Sequence, residues 1–355
     1  MDSVEAMTAV FDGHNDALTR PDYAGIATRR PGGHLDLPRM REGGVRGGIF
    51  AICVPSPNPF ERRVARDDDV IEFALAEPVS HPEAAAFASR AAGRLMALER
   101  AGEVRIARGV QDLDAVAASP DGPPVAVLHL EGAEAIDTGL ESLELWHAAG
   151  LRSLGPVWSR PTAFGHGVPF VFPSGPDTGP GLTPAGHELV RRCAELGIMV
   201  DLSHLNEAGF WDVARADLAP LVASHSAAHT LCQASRNLTD LQLDAIAASD
   251  GLVGIVYACP FLRSDFADVP DTPLTLIARH AAYVAERIGV AHVALGSDFD
   301  GATIPAELGD VAGVPKLLAA LADVGFSAAE CEAIAWGNWR RVLGQWWGEA
   351  GATEA

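Results

Sequence analysis

The chain has 355 residues, 48% apolar and 21% charged, and its 26 basic and 47 acidic residues leave a net charge of −21. This composition excludes collagen, coiled coil and disorder, and no apolar run is long enough to span a membrane. The negative field repels phosphate backbones and anionic lipid, so neither nucleic acid nor a membrane is an expected partner.

Met1 to Glu5 lacks the basic flank and apolar run of a secretory signal, and the chain ends polar beyond Gly348, so a cytoplasmic protein is expected. Eight short, near-continuously apolar runs follow in order: Ala9 to Asp12, Gly48 to Val54, Val125 to Leu130, Arg152 to Trp158, Ile198 to Ser203, Leu221 to Ser224, Leu252 to Tyr257 and Val293 to Ser297. Such runs suit parallel strands buried on both faces. Helical stretches separate most of them. Thr183 is an N-cap before Pro184, Gly197 closes that helix, and Ser327 to Glu330 is a capping box opening a C-terminal helix over 327–347.

Eight alternating strands predict an α/β chain folded as a single (β/α)8 TIM barrel over residues 1–355; no GxGxxG follows the first strand, as an open dinucleotide fold would require. A helical insertion is expected over residues 56–120, after strand two. A loop rich in glycine and proline is expected over 160–182, after strand four, where a lid would sit. Cys53, Cys193, Cys232, Cys259 and Cys331 lie too far apart to form a CxxC knuckle or a disulfide framework, and most read as small core residues.

In such a barrel, chemistry gathers at the C-terminal strand ends. His14 and Asp16 follow strand one, Glu131 ends strand three, His204 strand five, His225 strand six and Asp298 strand eight. Imidazoles and carboxylates together suit zinc and related divalent ions, and His14 and Asp16, two apart on an extended chain, point the same way. Taken singly, His204 and His225 suit core or capping histidines, and Asp298 suits a turn; their convergence carries the reading. Six groups exceed the needs of one tetrahedral ion and suggest two metals sharing a bridge. The sole lysine, Lys316, lies beyond strand eight, so a carbamylated lysine is excluded and Glu131 is the bridge. His34, His81, His147, His187, His280 and His292 read as structural, and Trp336, Trp339 and Trp346 as packing the last helix.

The motifs Asp12-Gly13-His14-Asn15-Asp16, Glu131-Gly132, Asp201-Leu202-Ser203-His204, Ser224-His225-Ser226, Arg236-Asn237 and Gly296 to Gly301 resemble, in this order, those of the membrane (renal) dipeptidase family of zinc metallopeptidases. Leu37 to Gly48, Gly181 to Gly186 and Trp336 to Trp339 echo the same family, so the resemblance spans nearly the whole chain. It implies a soluble, bacterial-type dipeptidase with two Zn2+ per chain. His14 and Asp16 would hold one ion, His204 and His225 the other, and Glu131 both. Arg236 would pair the substrate's carboxylate with Tyr257 assisting, and Asp298 would carry the proton. The implied reaction is hydrolysis of dipeptides, L-Xaa-D-Xaa included, by a hydroxide shared between the metals. The family's histidine at the end of strand four is missing; Trp158 stands there, with His129 and His166 as candidate replacements, which puts substrate identity in question. A related amidohydrolase acting on N-acyl amino acids or lactones is the alternative, and a binding protein on a decayed scaffold a third reading. Homodimers are common in the family, which leaves that assembly open.

Overall fold

The computed structural model describes residues 8–57, 62–64, 70–73, 75–119 and 121–348. The chain ends, and residues 58–61, 65–69, 74 and 120 of the expected insertion, lie outside this set. All eight expected strands are present, as β1 (Val10–Asn15), β2 (Val45–Cys53), β3 (Val125–Glu131), β4 (Leu151–Gly155), β5 (Met199–Val200), β6 (Val222–Ser226), β7 (Leu252–Ile255) and β8 (Val293–Leu295). They pair in parallel in chain order from β1 to β5 and from β6 to β8. Parallel bridges join the two groups: Asp201 with Val222 beyond β5, and Asn15 with Phe299 across β1 and the segment after β8. Leu202 N–H donates to the Val222 carbonyl at 2.8 Å, and Asp298 N–H to the His14 carbonyl at 3.0 Å. The result is a mixed α/β fold with a curled parallel sheet, consistent with a TIM-like barrel. It gathers the strand C-termini at one mouth.

Side-chain bulk decides how tightly the strands close. A Cβ on Gly254 or on Gly296 would lie 1.9 Å from the Ser224 carbonyl oxygen, so only glycine lets β6 approach its neighbours this closely. The helix Pro184–Leu196 begins at Thr183, whose hydroxyl accepts from Gly186 N–H at 3.1 Å, and ends at Gly197 with φ 66°. The Ser327 and Glu330 capping box also forms. It opens Ala328–Glu332, which runs through a π turn at Ala333–Gly337 into Asn338–Trp347. The indoles tie this segment to the barrel: Trp339 donates to the Leu295 carbonyl at 2.9 Å, and Trp336 packs edge-on against Phe11.

The segment between β2 and β3 is more than a helical pair. Its helices His81–Arg100 and Val110–Ala117 pack on β2 and β3, and Arg105–Ile106 adds a short parallel strand beside β3. Ile71–Phe73 pairs antiparallel with both Arg62–Val64 and Phe170–Phe172. The last of these strands belongs to the stretch after β4 that reads as a loop in the sequence, so the two embellishments meet in one small sheet.

Candidate metal and substrate site

Glu131 is the last residue of β3, level with Cys53 on β2 and Gly155 on β4. Its Oε1 lies 3.1 Å from His204 Nε2 and 3.5 Å from both His225 Nε2 and His14 Nε2. The two Nε2 atoms of His204 and His225 are 3.1 Å apart, and His14 Nε2 is 3.7 Å from Asp16 Oδ2. Asp298 completes a second cluster with His14 and Asp16, their ligand atoms all within 4.8 Å of one another. All six groups expected from the strand ends therefore meet.

The residues beneath the cluster orient it. Ser159 Oγ lies 2.8 Å from His204 Nδ1, and Ser224 Oγ lies 2.8 Å from His225 Nδ1. Ser224 gives its one hydroxyl proton to Asp201, so His225 Nδ1 must carry hydrogen and donate to Ser224, leaving the Nε2 lone pair facing Glu131. Asp201 is held in turn by the Ser203 and Ser224 N–H groups, at 3.0 and 2.8 Å. On the β1 side, Asp12 accepts from Ser297 N–H at 2.8 Å and from its hydroxyl at 2.9 Å, fixing the strand that carries His14 against the end of β8.

The electrostatics suit a cation. Burial, reinforced by the Arg236 charge at His204 and by His14 at His225, holds both imidazoles well below the usual range, so they are neutral lone-pair donors. At His14 burial also acts downward, but the carboxylates of Glu131, Asp16 and Asp298 outweigh it and push the ring up to about 10. Burial raises Glu131 to about 7 against the pull of His14, and burial together with the Asp16 charge lifts Asp298 well above the carboxylate range. The fit to a metal is direct: both ring nitrogens of His14 and Asp16 Oδ1 are buried with no hydrogen-bond partner, a costly arrangement that a divalent ion satisfies.

The cluster opens into a cavity of about 1120 Å3. Arg236 lines it, buried, with Nη1 donating to Ser226 Oγ and Nη2 to the His225 carbonyl, both at 2.8 Å. Burial lowers its guanidinium to about 10, so it stays a cation near neutral pH with donors to spare. Trp158 is half-buried on the lining, its ring 5.9 Å from that of His204.

Tyr257 does not take the place expected of it, and neither candidate replacement at the end of strand four lines the cavity. Tyr257 is buried edge-on against Phe299, with ring centroids 5.5 Å apart, and is absent from the lining. β7 ends at Ile255, two residues earlier than the sequence pattern suggests, so Tyr257 follows the strand and turns to the core. His129 lies in the barrel against Ser153 Oγ at 2.8 Å, and His166 Nδ1 sits 3.1 Å from the Gly181 carbonyl; neither lines the cavity.

Other lining residues escaped the sequence reading. His34, expected to be structural, lines the cavity, and its Nδ1 accepts from Asp300 N–H at 3.0 Å. The Asp300 carboxylate is paired with the buried Arg30 at 2.5 Å. The spacing rule that joined His14 to Asp16 applies equally to Asp298 and Asp300 and was the available signal. Phe73, Phe170, Phe261 and Phe266 also line the cavity, and no local pattern marks them.

Known proteins resemble the chain along most of its length. A structure of dipeptidase AC, a metallopeptidase of family M19, shares 46% identity and a TM-score of 0.88, covering 96% of this chain and 99% of its own. A metallopeptidase from Rhodobacter sphaeroides, liganded with a phosphinate mimic of the dipeptide L-Ala-D-Ala, shares 45% identity and a TM-score of 0.89 over the same shares. Dipeptidase AtaJ of Aspergillus terreus is 30% identical over 95% of this chain and 84% of its own length. Matched over residues 1–350, the chain belongs to the membrane dipeptidase family, peptidase family M19.

Proposed function

We propose that the protein is a binuclear zinc dipeptidase that accepts L-Xaa-D-Xaa as well as L-Xaa-L-Xaa substrates. The observation that carries this reading is the single Glu131 oxygen lying within 3.5 Å of three imidazole Nε2 atoms, the setting of a shared ligand. His14 and Asp16 would hold one ion, His204 and His225 the other, and Glu131 both. When bound, the ions supply Lewis acidity to the scissile carbonyl and lower the pKa of water. The chain's own groups do the rest. Arg236 pairs the substrate's terminal carboxylate and sets the distance from it to the scissile bond, which limits the substrate to two residues. Asp298, on the lining beside His14 and Asp16, takes the proton released as water adds to the carbonyl carbon. It returns that proton to the departing amine as the C–N bond breaks. The Rhodobacter relative's L-Ala-D-Ala mimic supports the D-series.

The test is elemental analysis coupled, on the same sample, to ninhydrin-detected release from L-Ala-L-Xaa and L-Ala-D-Xaa dipeptides. About two zinc ions per chain with cleavage in the D-series is the expected result. Two ions with no dipeptide cleaved would keep the centre and overturn the substrate, in favour of N-acyl amino acids or lactones.

A further inference from the structure

We propose that the wall between the metal ligands and Arg236 is a pocket for a bulky apolar side chain, so that the enzyme prefers dipeptides whose C-terminal residue is leucine-like or aromatic. The inference rests on the dipeptidase reading and deepens it. In a dipeptide, the terminal carboxylate and the scissile nitrogen are attached to the same Cα. With the carboxylate at Arg236 and the scissile carbonyl at the His204 end, the side chain lying between those anchors belongs to the C-terminal residue.

That stretch of the cavity is aromatic. The Trp158 and Phe170 rings lie 5.9 and 6.1 Å from His204 and 6.2 Å from each other. Phe170 is 5.4 Å from Phe261, whose ring lies 6.0 Å from the Arg236 guanidinium carbon. These three rings therefore run from one anchor to the other. Phe266 backs them, 6.0 Å from Phe261 and 6.3 Å from Phe73. Three separate segments converge to build the wall: the stretch after β4, which carries Trp158 and the strand Phe170–Phe172, the strand Ile71–Phe73 and the stretch after β7.

The backbone gives an independent sign of purpose. Phe266 has φ 55°, a left-handed conformation costly for a bulky residue, and it is held by stacking on Phe172 at 5.3 Å with planes 3° apart. Strain of this kind persists where a side chain must be presented at a fixed place, and Phe266 is presented to the cavity. On another part of the lining, Arg20 and His34 both face the Asp300 carboxylate. An anionic side chain at the aromatic wall would lose water and meet the negative faces of the rings, whereas a cationic one would exchange its water for a cation–π contact.

The test uses the zinc-loaded enzyme and L-Ala-Xaa dipeptides ending in Gly, Leu, Phe, Asp or Lys, the chiral residues in both D and L forms, because the two forms project the side chain to different sides. In the better accepted series, kcat/KM for Leu and Phe should exceed that for Gly by about tenfold to a hundredfold, with Asp below Gly and Lys below Leu and Phe. Phe170→Ala and Phe73→Ala should each bring the Leu to Gly ratio towards one, while Phe170→Leu keeps most of it. A wild-type ratio at or below one, an Asp or Lys substrate ahead of Leu and Phe, or a ratio unmoved by both alanine variants would overturn the proposal while leaving the dipeptidase reading in place. Cleavage of none of these dipeptides would remove that reading and this one together. If the variants do not fold, the wild-type ranking alone decides.

Discussion

Replacing Glu131 by glutamine separates a shared metal ligand from a packing residue, because the two roles predict different signs in loaded and stripped protein. Without metal, burial raises the carboxyl to about 7 from an ordinary 4.5, so its ionised form weighs against the fold above that pH, and the cost is gone below about 4.5. At pH 8 the neutral amide removes the cost, and the stripped variant should melt at or above stripped wild type. With zinc the sign reverses. Each hundredfold loss of affinity removes about 2.7 kcal/mol of binding linkage. An unfolding entropy of about 2.1 cal/mol/K per residue corresponds, over 355 residues, to about 0.7 kcal/mol per degree. One weakened site thus lowers the melting temperature by about 4 °C, and two by about 7–8 °C. Calorimetry at pH 8 in excess zinc and after chelation, with elemental analysis of the same samples, measures both arms. An equal fall in both conditions with zinc content intact would refute the shared-ligand assignment.

Asp298→Asn should keep both metals and lower kcat by about 10²–10⁴, and a kcat near wild type with full zinc would remove Asp298 from proton transfer. Arg236→Ala should raise KM for free-carboxylate dipeptides by about ten- to a hundredfold and leave C-terminally amidated ones nearly unaffected, so equal losses on both would contradict the carboxylate pairing. Ser224→Ala frees the His225 tautomer and should weaken zinc binding by about ten- to a hundredfold in a competition titration with a chelator, and unchanged affinity would show that the hydroxyl does not orient the ring.

The metal cluster was legible because it obeys local rules. Near-continuous apolar runs mark buried parallel strands, and a histidine or carboxylate just past such a run falls at the mouth. His14, Asp16, Glu131, His204, His225 and Asp298 could each be found from the residues beside them, and they meet as expected. The boundary of β7 was less secure: its run continues apolar past Ile255, so the pattern carried the strand through to Tyr257. What sequence could not supply was non-local pairing of short pieces. Ile71–Phe73 and Phe170–Phe172 are three residues each, too brief for a period, and their register brings Phe73 opposite Phe170 across nearly a hundred positions. His34 and Asp300 are separated further still, by 266 positions. Neither carries a mark that names the other.

Backbone strain supplies a view of the site that depends on no motif. Among the described residues, seven other than glycine have φ in the left-handed region, and four of them, His204, Phe266, Asp298 and Asp300, line the cavity. Such conformations cost about 1–2 kcal/mol each, so together they weigh about 4–8 kcal/mol, comparable with the whole stability of an ordinary domain. Each is held by a specific partner. Asp298 N–H donates to the His14 carbonyl at 3.0 Å and Asp300 N–H to His34 Nδ1 at 3.0 Å, while the His204 carbonyl accepts from Val168 N–H at 2.8 Å. Phe266 N–H donates to the Arg263 carbonyl at 3.1 Å and its ring stacks on Phe172. Two of these residues belong to the cluster of proposed ligands, one is Asp300, and one stands among the aromatic lining residues. The same device therefore presents the proposed ligand, the proposed proton carrier and an aromatic lining residue, and Val168 and Phe172 both come from the stretch after β4 that reads as a loop. That stretch supports the metal end and the wall together, so substitutions that loosen it should shift substrate ranking and zinc affinity in the same variants.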